Sequence, residues 1–316
     1  MVDIFARKNL LYAALIFILL LILGIIFKNN IRCIYWAVVH DTHCVSKPEP
    51  KEVTFFSDSL RIYGDIFTKG STNSPVIILL HGSSEEGRKA ALIQMLGKKY
   101  SKAGYNVFAI DFRAYGESDD PKSLNAENFN FANDIVFAVD YIIDNAGTYN
   151  IDTSKIYLMG HSFGAGVALI TLKYNSKIKK VILLGPPRRL EERFLSDEAT
   201  EKEEFLERWK EDMKLPYELE YSTWTEVYQH LDINNYISDF NVQEHIPIFL
   251  IDGENEDKND RDFLKKVSKE INQPIEYWTI PESDHYLNIK YLKNKLVYSG
   301  NTVKNFIERT DSWLKQ

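Results

Sequence analysis

Cysteine is nearly absent from this 316-residue chain, which has only Cys33 and Cys44. That rules out a disulfide framework and leaves at most one bridge, which an oxidising compartment would favour. No Asn-x-Ser/Thr acceptor with a permitted middle residue occurs, which speaks against a heavily glycosylated secreted protein. Glycine (15) and proline (10) are too sparse for a collagen-like or low-complexity chain. Basic residues (38) are outnumbered by acidic ones (45), and the net charge of −7 leaves no basic stripe of the kind a nucleic-acid binder needs. What is present is ample apolar material, 45% of residues, enough for one large α/β domain or two smaller ones.

Long hydrophobic runs are also missing, with one exception. Leu10–Phe27 is uncharged and almost wholly apolar, with Arg7 and Lys8 before it and Lys28 and Arg32 after it. Eighteen residues at about 1.5 Å each give roughly 27 Å of helix, enough to cross a hydrocarbon core. A signal peptide would have a shorter apolar core and a small-residue cleavage site, and a buried helix would carry a polar stripe. The run therefore predicts a retained single-pass membrane anchor, with basic residues at both ends leaving the side of the membrane open. Residues 1–9 form its flank, 28–52 a juxtamembrane linker, and 53–316 the main domain. His40 and His43 adjoin Cys44, but their spacing fits no familiar zinc pattern and no metal is expected.

From Val53 onward, short aliphatic runs alternate with segments of helical spacing, the mark of a mostly parallel sheet covered on both faces. The pattern predicts an antiparallel opening at Val53–Phe56 and Leu60–Phe67. Strands are then expected at Pro75–Leu80, Asn106–Ile110, Lys155–Met159, Lys180–Leu184, Pro247–Ile251 and Ile275–Ile280. Helices are expected near Lys89–Ala103, Phe131–Asn145, Ser162–Tyr174, Arg261–Ile271 and Thr302–Leu314.

Residues 187–245 interrupt this alternation and are too many for an ordinary connection, so they read as an inserted helical subdomain placed over the strand ends, fit to act as a lid. The insertion holds 16 acidic and 7 basic residues, a net charge of −9 against −7 for the whole chain, so the remainder carries +2. Phe205, Trp209 and Met213 fall on one face of a helix, and Trp224, Tyr228 and Tyr236 add further apolar surface.

The chemistry centres on Gly160-His161-Ser162-Phe163-Gly164, where a strand pattern runs directly into a helical one. A serine on so sharp a turn needs small neighbours two positions away on each side, and Gly160 and Gly164 supply them. A serine nucleophile needs a histidine base, and the histidine needs an orienting carboxylate. His285 lies in a short loop after the Ile275–Ile280 strand, with helices expected to follow. The acid-rich turn Asp252-Gly-Glu-Asn-Glu-Asp257 offers Glu256 or Asp257 as the carboxylate. The backbone amides of Phe163 and of Ser83, just beyond the strand that ends in His81-Gly82, are the candidate oxyanion donors.

Together, His81-Gly82, Asp111-Phe-Arg113-Ala-Tyr-Gly116-Glu-Ser118, the 160–164 motif, the Gly253 turn and Asp284-His285 give the region from Val53 to Gln316 a resemblance to the α/β-hydrolases. The nearest branch is the lidded serine hydrolases, which includes esterases, monoacylglycerol lipases and serine aminopeptidases. The resemblance implies an α/β-hydrolase fold with an inserted helical lid, and a nucleophile–acid–histidine order met by Ser162, then Glu256 or Asp257, then His285. The family usually has aspartate three residues after the turn glycine, where this chain has Glu256 followed by Asp257. Asp111 and Arg113 resemble a structural turn of the family. Branches with an aspartate nucleophile, such as haloalkane dehalogenases and epoxide hydrolases, are disfavoured by Ser162 at the elbow. The implied activity is hydrolysis of a lipophilic acyl ester or lipid, without metal or organic cofactor and without nucleic acid. Amidase or aminopeptidase activity, acyl transfer, and a catalytically silent binding module are the alternatives.

Overall fold

A computed structural model describes residues 42–46, 49–68, 73–123, 125, 127–173, 177–186, 210–213, 246–270, 274–293 and 295–316, and residues 16, 18, 19, 204 and 207 singly. An eight-stranded sheet runs in the order β2-β3-β5-β4-β6-β7-β8-β9. Its strands are β2 (Lys51–Ser57), β3 (Leu60–Phe67), β4 (Ser74–Leu80), β5 (Asn106–Ile110), β6 (Ile151–His161), β7 (Ile178–Leu184), β8 (Ile248–Gly253) and β9 (Ile275–Ile280). The β2–β3 and β3–β5 pairs are antiparallel, and every pair from β5 through β9 is parallel. Five helices of the domain bear on the site: α1 (Ala91–Ala103), α2 (Phe131–Asp144), α4 (Phe163–Thr171), α5 (Lys258–Glu270) and α6 (Gly300–Lys315), with a single turn, α3 (Ala146–Tyr149), before β6.

The central strands carry apolar runs, Val76–Leu80, Ile156–Met159, Val181–Leu184 and Ile248–Ile251, because both faces of the sheet are covered there, and their two-residue period sorts them into two cores. Val76, Ile78 and Leu80 of β4 pack with Leu158, Leu183 and Leu250 under α2 and α4. Ile77 and Leu79 point the other way, with Met159, Leu184 and Ile251, toward α1 and α6. Each such side chain contributes about 1.5–3 kcal/mol when fully buried. β4 has β5 on one side and β6 on the other, so the chain reverses its direction of sheet growth there. The crevice at such a switch point, beyond the strands' carboxyl ends, is where open α/β sheets bind ligands. β4 leads there into His81–Ser84, and β6 into Ser162.

Two buried arginines brace the loops around this crevice. Arg113 grips Asp134 through Nε and Nη2 at 3.0 and 2.7 Å, donates to Asp58 at 3.0 Å and to the Asn128 carbonyl at 2.8 Å. Arg88 reaches Asp65, Asp111, Glu52 and Glu117, and its own backbone N–H donates to Asp111 at 2.6 Å. Asp111 and Arg113 are thus structural, as the family resemblance implies.

Three features differ from the sequence expectation. Thr42–Ser46 (β1), within the stretch read as a linker, pairs antiparallel with Lys295–Ser299 (β11). β11 also pairs with Lys290–Leu292 (β10), so two strands, and not helices alone, follow His285. Strands of three and five residues joined by a tight turn are too short to show a readable period. Lys155–Met159 is also only the middle of an eleven-residue β6. The proposed anchor at 10–27 lies outside the described residues except for Ile16, Ile18 and Leu19, which are helical and exposed. Among the described residues no helix is long and apolar enough to cross a membrane. The 187–245 insertion is described only at 204, 207 and 210–213, all helical, and Met213 is buried in the core. Cys33, Phe205, Trp209, Trp224, Tyr228 and Tyr236 lie outside the described residues.

Because Asp134 is fully buried beside Arg113, Arg113→Ala leaves an uncompensated charge and is expected to cost about 3–5 kcal/mol in urea unfolding. The Arg113→Ala/Asp134→Ala double variant should cost less than the two single changes added together.

Candidate active site

β6 ends at His161, and α4 begins at Phe163, so Ser162 alone makes the reversal. It does so at φ 50°, ψ −121°, a backbone region that side chains rarely adopt. Its N–H donates to the Leu184 carbonyl at 2.8 Å, and its own carbonyl accepts from Ala165 at 2.9 Å. The motif glycines are required by contact. A Cβ at Gly160 would lie 2.4 Å from the Gly164 carbonyl oxygen, and one at Gly164 would lie 2.4 Å from that of His81. These obstacles are backbone, which cannot swing aside.

His285 sits in the turn between β9 and β10, and its Nδ1 lies 2.7 Å from Glu256 Oε2. The other carboxylate oxygen, Oε1, accepts the Gly253 N–H at 2.7 Å, so the β8 turn locks the acid in place. The two loops are stitched together: the Asn255 N–H donates to the Ser283 carbonyl, and the Glu282 N–H to Glu254 Oε2, both at 2.9 Å. Asp257 does something else. Its Oδ1 accepts from the Asn259 N–H at 2.8 Å, capping the start of α5. Asp252 is fully buried and accepts the Tyr277 hydroxyl, and burial raises its carboxyl above the ordinary range.

Ser162 and His285 both border the end of β7. Leu184 receives the Ser162 N–H, and the next residue, Gly185 at φ 55°, lies so close to His285 that a Cβ there would be 2.7 Å from Cε1. Sequence reading passed over Gly185, whose only signal was its place just after a strand. It read His161 only as a member of the elbow motif. His161 donates from Nε2 to the His285 carbonyl at 2.9 Å, and its ring lies against the His285 ring at 4.6 Å between centroids, tilted by 48°. Burial holds His161 well below the usual histidine range, so it is neutral there.

Ser83 and Phe163 stand one turn beyond β4 and β6, and a Cβ at Gly82 would come within 3.0 Å of Ser162 Cβ. The Ser83 turn and the elbow are therefore in contact. His81 shapes that turn. Its Nδ1–H donates to the Gly82 carbonyl at 2.6 Å while Nε2 accepts the Phe112 N–H at 3.1 Å, a pairing that only a neutral imidazole can make. Complete burial lowers its pKa to about 4. Above the serine opens a cavity of about 460 Å³, lined on one side by Ala90, Ala91, Leu92 and Ile93 and on another by Tyr286 and Ile289.

The BD-FAE family profile matches residues 62–206, which takes in the Ser83 turn and the elbow but neither Glu256 nor His285. A multifunctional-autoprocessing repeats-in-toxin protein of Vibrio cholerae is 28% identical over 156 residues, 46% of this chain and 3% of the toxin. A lysophosphatidylserine lipase of Xenopus tropicalis is 32% identical over 98 residues, 31% of this chain and 23% of the lipase. This chain thus spans under a quarter of the length of either relative. Among solved structures, an esterase of Pyrococcus furiosus superposes with a TM-score of 0.58 at 21% identity, over 84% of this chain and 90% of the esterase.

A neutral His81 carries a signed consequence for stability. The unfolded chain takes up a proton near pH 6.5, whereas the folded chain resists until about 4. The stability due to a neutral His81 is complete above pH 6.5, declines as pH falls, and levels off below 4. Between pH 7 and pH 4, wild type should lose about 3 kcal/mol more than His81→Gln, measured by urea unfolding at each pH. An equal loss in both proteins would show that His81 is not held neutral.

The sheet order, the strained serine between β6 and α4 and the likeness to solved structures give the chain an α/β-hydrolase fold, and an esterase and a lipase are among the proteins it resembles.

Proposed function

We propose that this protein is a serine hydrolase that cleaves a carboxylic ester with a lipophilic acyl group through a covalent acyl-enzyme. The observation that carries the reading is the 2.7 Å contact between His285 Nδ1 and Glu256, set beside a serine on a strained strand-to-helix turn. With Nδ1 engaged by the carboxylate, Nε2 is the nitrogen left to act on the serine hydroxyl.

On this reading Ser162 Oγ bonds to the ester carbonyl carbon as its proton passes to His285 Nε2, and Glu256 stabilises the imidazolium. The negative oxygen is held by the amides of Ser83 and Phe163, each such donor being worth about 2.7–4 kcal/mol in barrier. The carbon–oxygen bond to the leaving alcohol then breaks, and the alcohol takes the proton from His285. Water, activated by the same imidazole, attacks the acyl-serine and frees the acid. The apolar wall Ala90–Ile93, with Ile289, supports an acyl chain as the group bound. The 10–27 segment, acting as an anchor, would hold the enzyme where such esters partition, and the insertion would cover the site.

The test is hydrolysis of p-nitrophenyl esters across acyl lengths, with fluorophosphonate labelling alongside. Ser162→Ala should abolish labelling and cost on the order of 10⁶ in kcat. Glu256→Gln should cost roughly 10³ to 10⁴, whereas Asp257→Asn should leave turnover near wild type because its carboxylate serves α5. A wild type that neither labels nor hydrolyses any ester would point instead to a binding module. Preference for amino-acid amides would point to an amidase, and product formation with an added alcohol to an acyltransferase.

A further inference from the structure

The insertion delivers one described ionisable side chain to the active cavity. Asp212, half-buried, lines the same cavity as Ser162 and accepts a hydrogen bond from the Ser83 hydroxyl at 2.7 Å. Ser83 Oγ in turn lies 3.3 Å from the hydroxyl of the buried Tyr115. The next residue, Met213, is 2% exposed within the core, so the backbone carrying Asp212 is pinned where it stands.

This position is costly for the reaction proposed above. The tetrahedral intermediate bears a negative oxygen next to the Ser83 amide, and Asp212 puts a second negative charge on the side chain of that same residue. In a half-buried site, two like charges oppose each other far more than in water. Among the described residues the cavity supplies little to offset them: its charged lining is Glu86 and Asp212 against Lys290, and His161 is neutral. A positive group on the substrate would offset the repulsion. Tyr286 and Tyr291, which also line the cavity, are aromatic side chains of a type that attracts an ammonium ion.

We propose that Asp212 is a specificity residue that selects acyl esters carrying an ammonium group, quaternary or primary, over neutral and anionic esters of the same shape. The inference rests on the serine-hydrolase reading and sharpens its substrate class.

The experiment compares butyrylthiocholine with its isostere bearing carbon in place of nitrogen, and a second such pair with the charge on the acyl side. Release of thiol or nitrophenol is followed for wild type, Asp212→Asn and the surface control Asp144→Asn. In each hydrolysis the acyl carbon–sulfur or carbon–oxygen bond breaks, water supplies the new oxygen, and the leaving group departs with a proton. Wild type should favour the cationic member of at least one pair by tenfold or more in kcat/KM. Asp212→Asn, whose amide oxygen still accepts from Ser83, should bring that ratio close to one, while Asp144→Asn keeps it. Equal rates for both members of both pairs in a wild type that takes the fluorophosphonate would overturn this inference alone. A preference that survives Asp212→Asn would also overturn it and leave Asp212 as a tether for the insertion. A wild type that neither labels nor hydrolyses either pair would sink the hydrolase reading, and this inference with it.

Discussion

The left-handed backbone of Ser162 is the constraint around which the rest of the molecule is arranged. A non-glycine residue held in such a region costs about 1–3 kcal/mol and persists only where its surroundings over-determine it. Here they do. The N–H of Ser162 is taken by the neighbouring strand, the residues two positions away on each side are glycines whose space is filled by backbone, and the flanking β6 and α4 are buried along nearly all of their lengths at this end. The strain is met by the two cores either side of the sheet. A less completely buried sheet could not hold a serine in this position.

The buried charges serve a related purpose. Replacing buried ion pairs by well-packed apolar groups is often neutral or stabilising, so Arg88 and Arg113 are weak arguments for stability in themselves. What they do is tie distant loops to one point. Arg113 joins the loop after β5 to the β2–β3 turn and to α2, and Arg88 joins the segment after His81 to β2, β3 and the 111–117 turn. These are the loops bordering the crevice, and a hydrophobic contact would not fix their register so specifically.

Much of this was legible in the sequence because the signals were local. Most of the parallel strands announce themselves as short apolar runs, and the Asn106–Ile110 and Ile275–Ile280 boundaries coincide with the observed strands. The strand–glycine–serine–glycine–helix order identifies the elbow for the same reason. What the sequence withheld depends on contact between distant parts. Glu256 and Asp257 are adjacent and chemically similar, and only the fold shows that one carboxylate reaches His285 while its neighbour caps a helix. Pairing of β1 with β11 joins residues some 250 positions apart, and no local period marks it. Gly185 and His161 matter through what they touch across the sheet, which composition cannot reveal.

On the proposed reading, one fold separates reaction type from selectivity. Ser162, Glu256 and His285 all sit at the carboxyl ends of the parallel strands, where the sheet fixes their spacing. Of the three histidines gathered there, His81 and His161 are kept neutral by burial, with their partners setting which nitrogen carries the proton. Each is therefore uncharged, and of the three it is His285 that meets the carboxylate of Glu256. Selectivity has to come from elements free to vary without disturbing that geometry. The insertion between β7 and β8 is such an element, since it leaves the sheet at one strand end and rejoins it at the start of the next. It carries the chain's excess negative charge and places Asp212 against the Ser83 turn. A carboxylate delivered from outside the sheet can tune which substrate charge is tolerated while leaving the elbow, the histidine and its acid where the sheet put them.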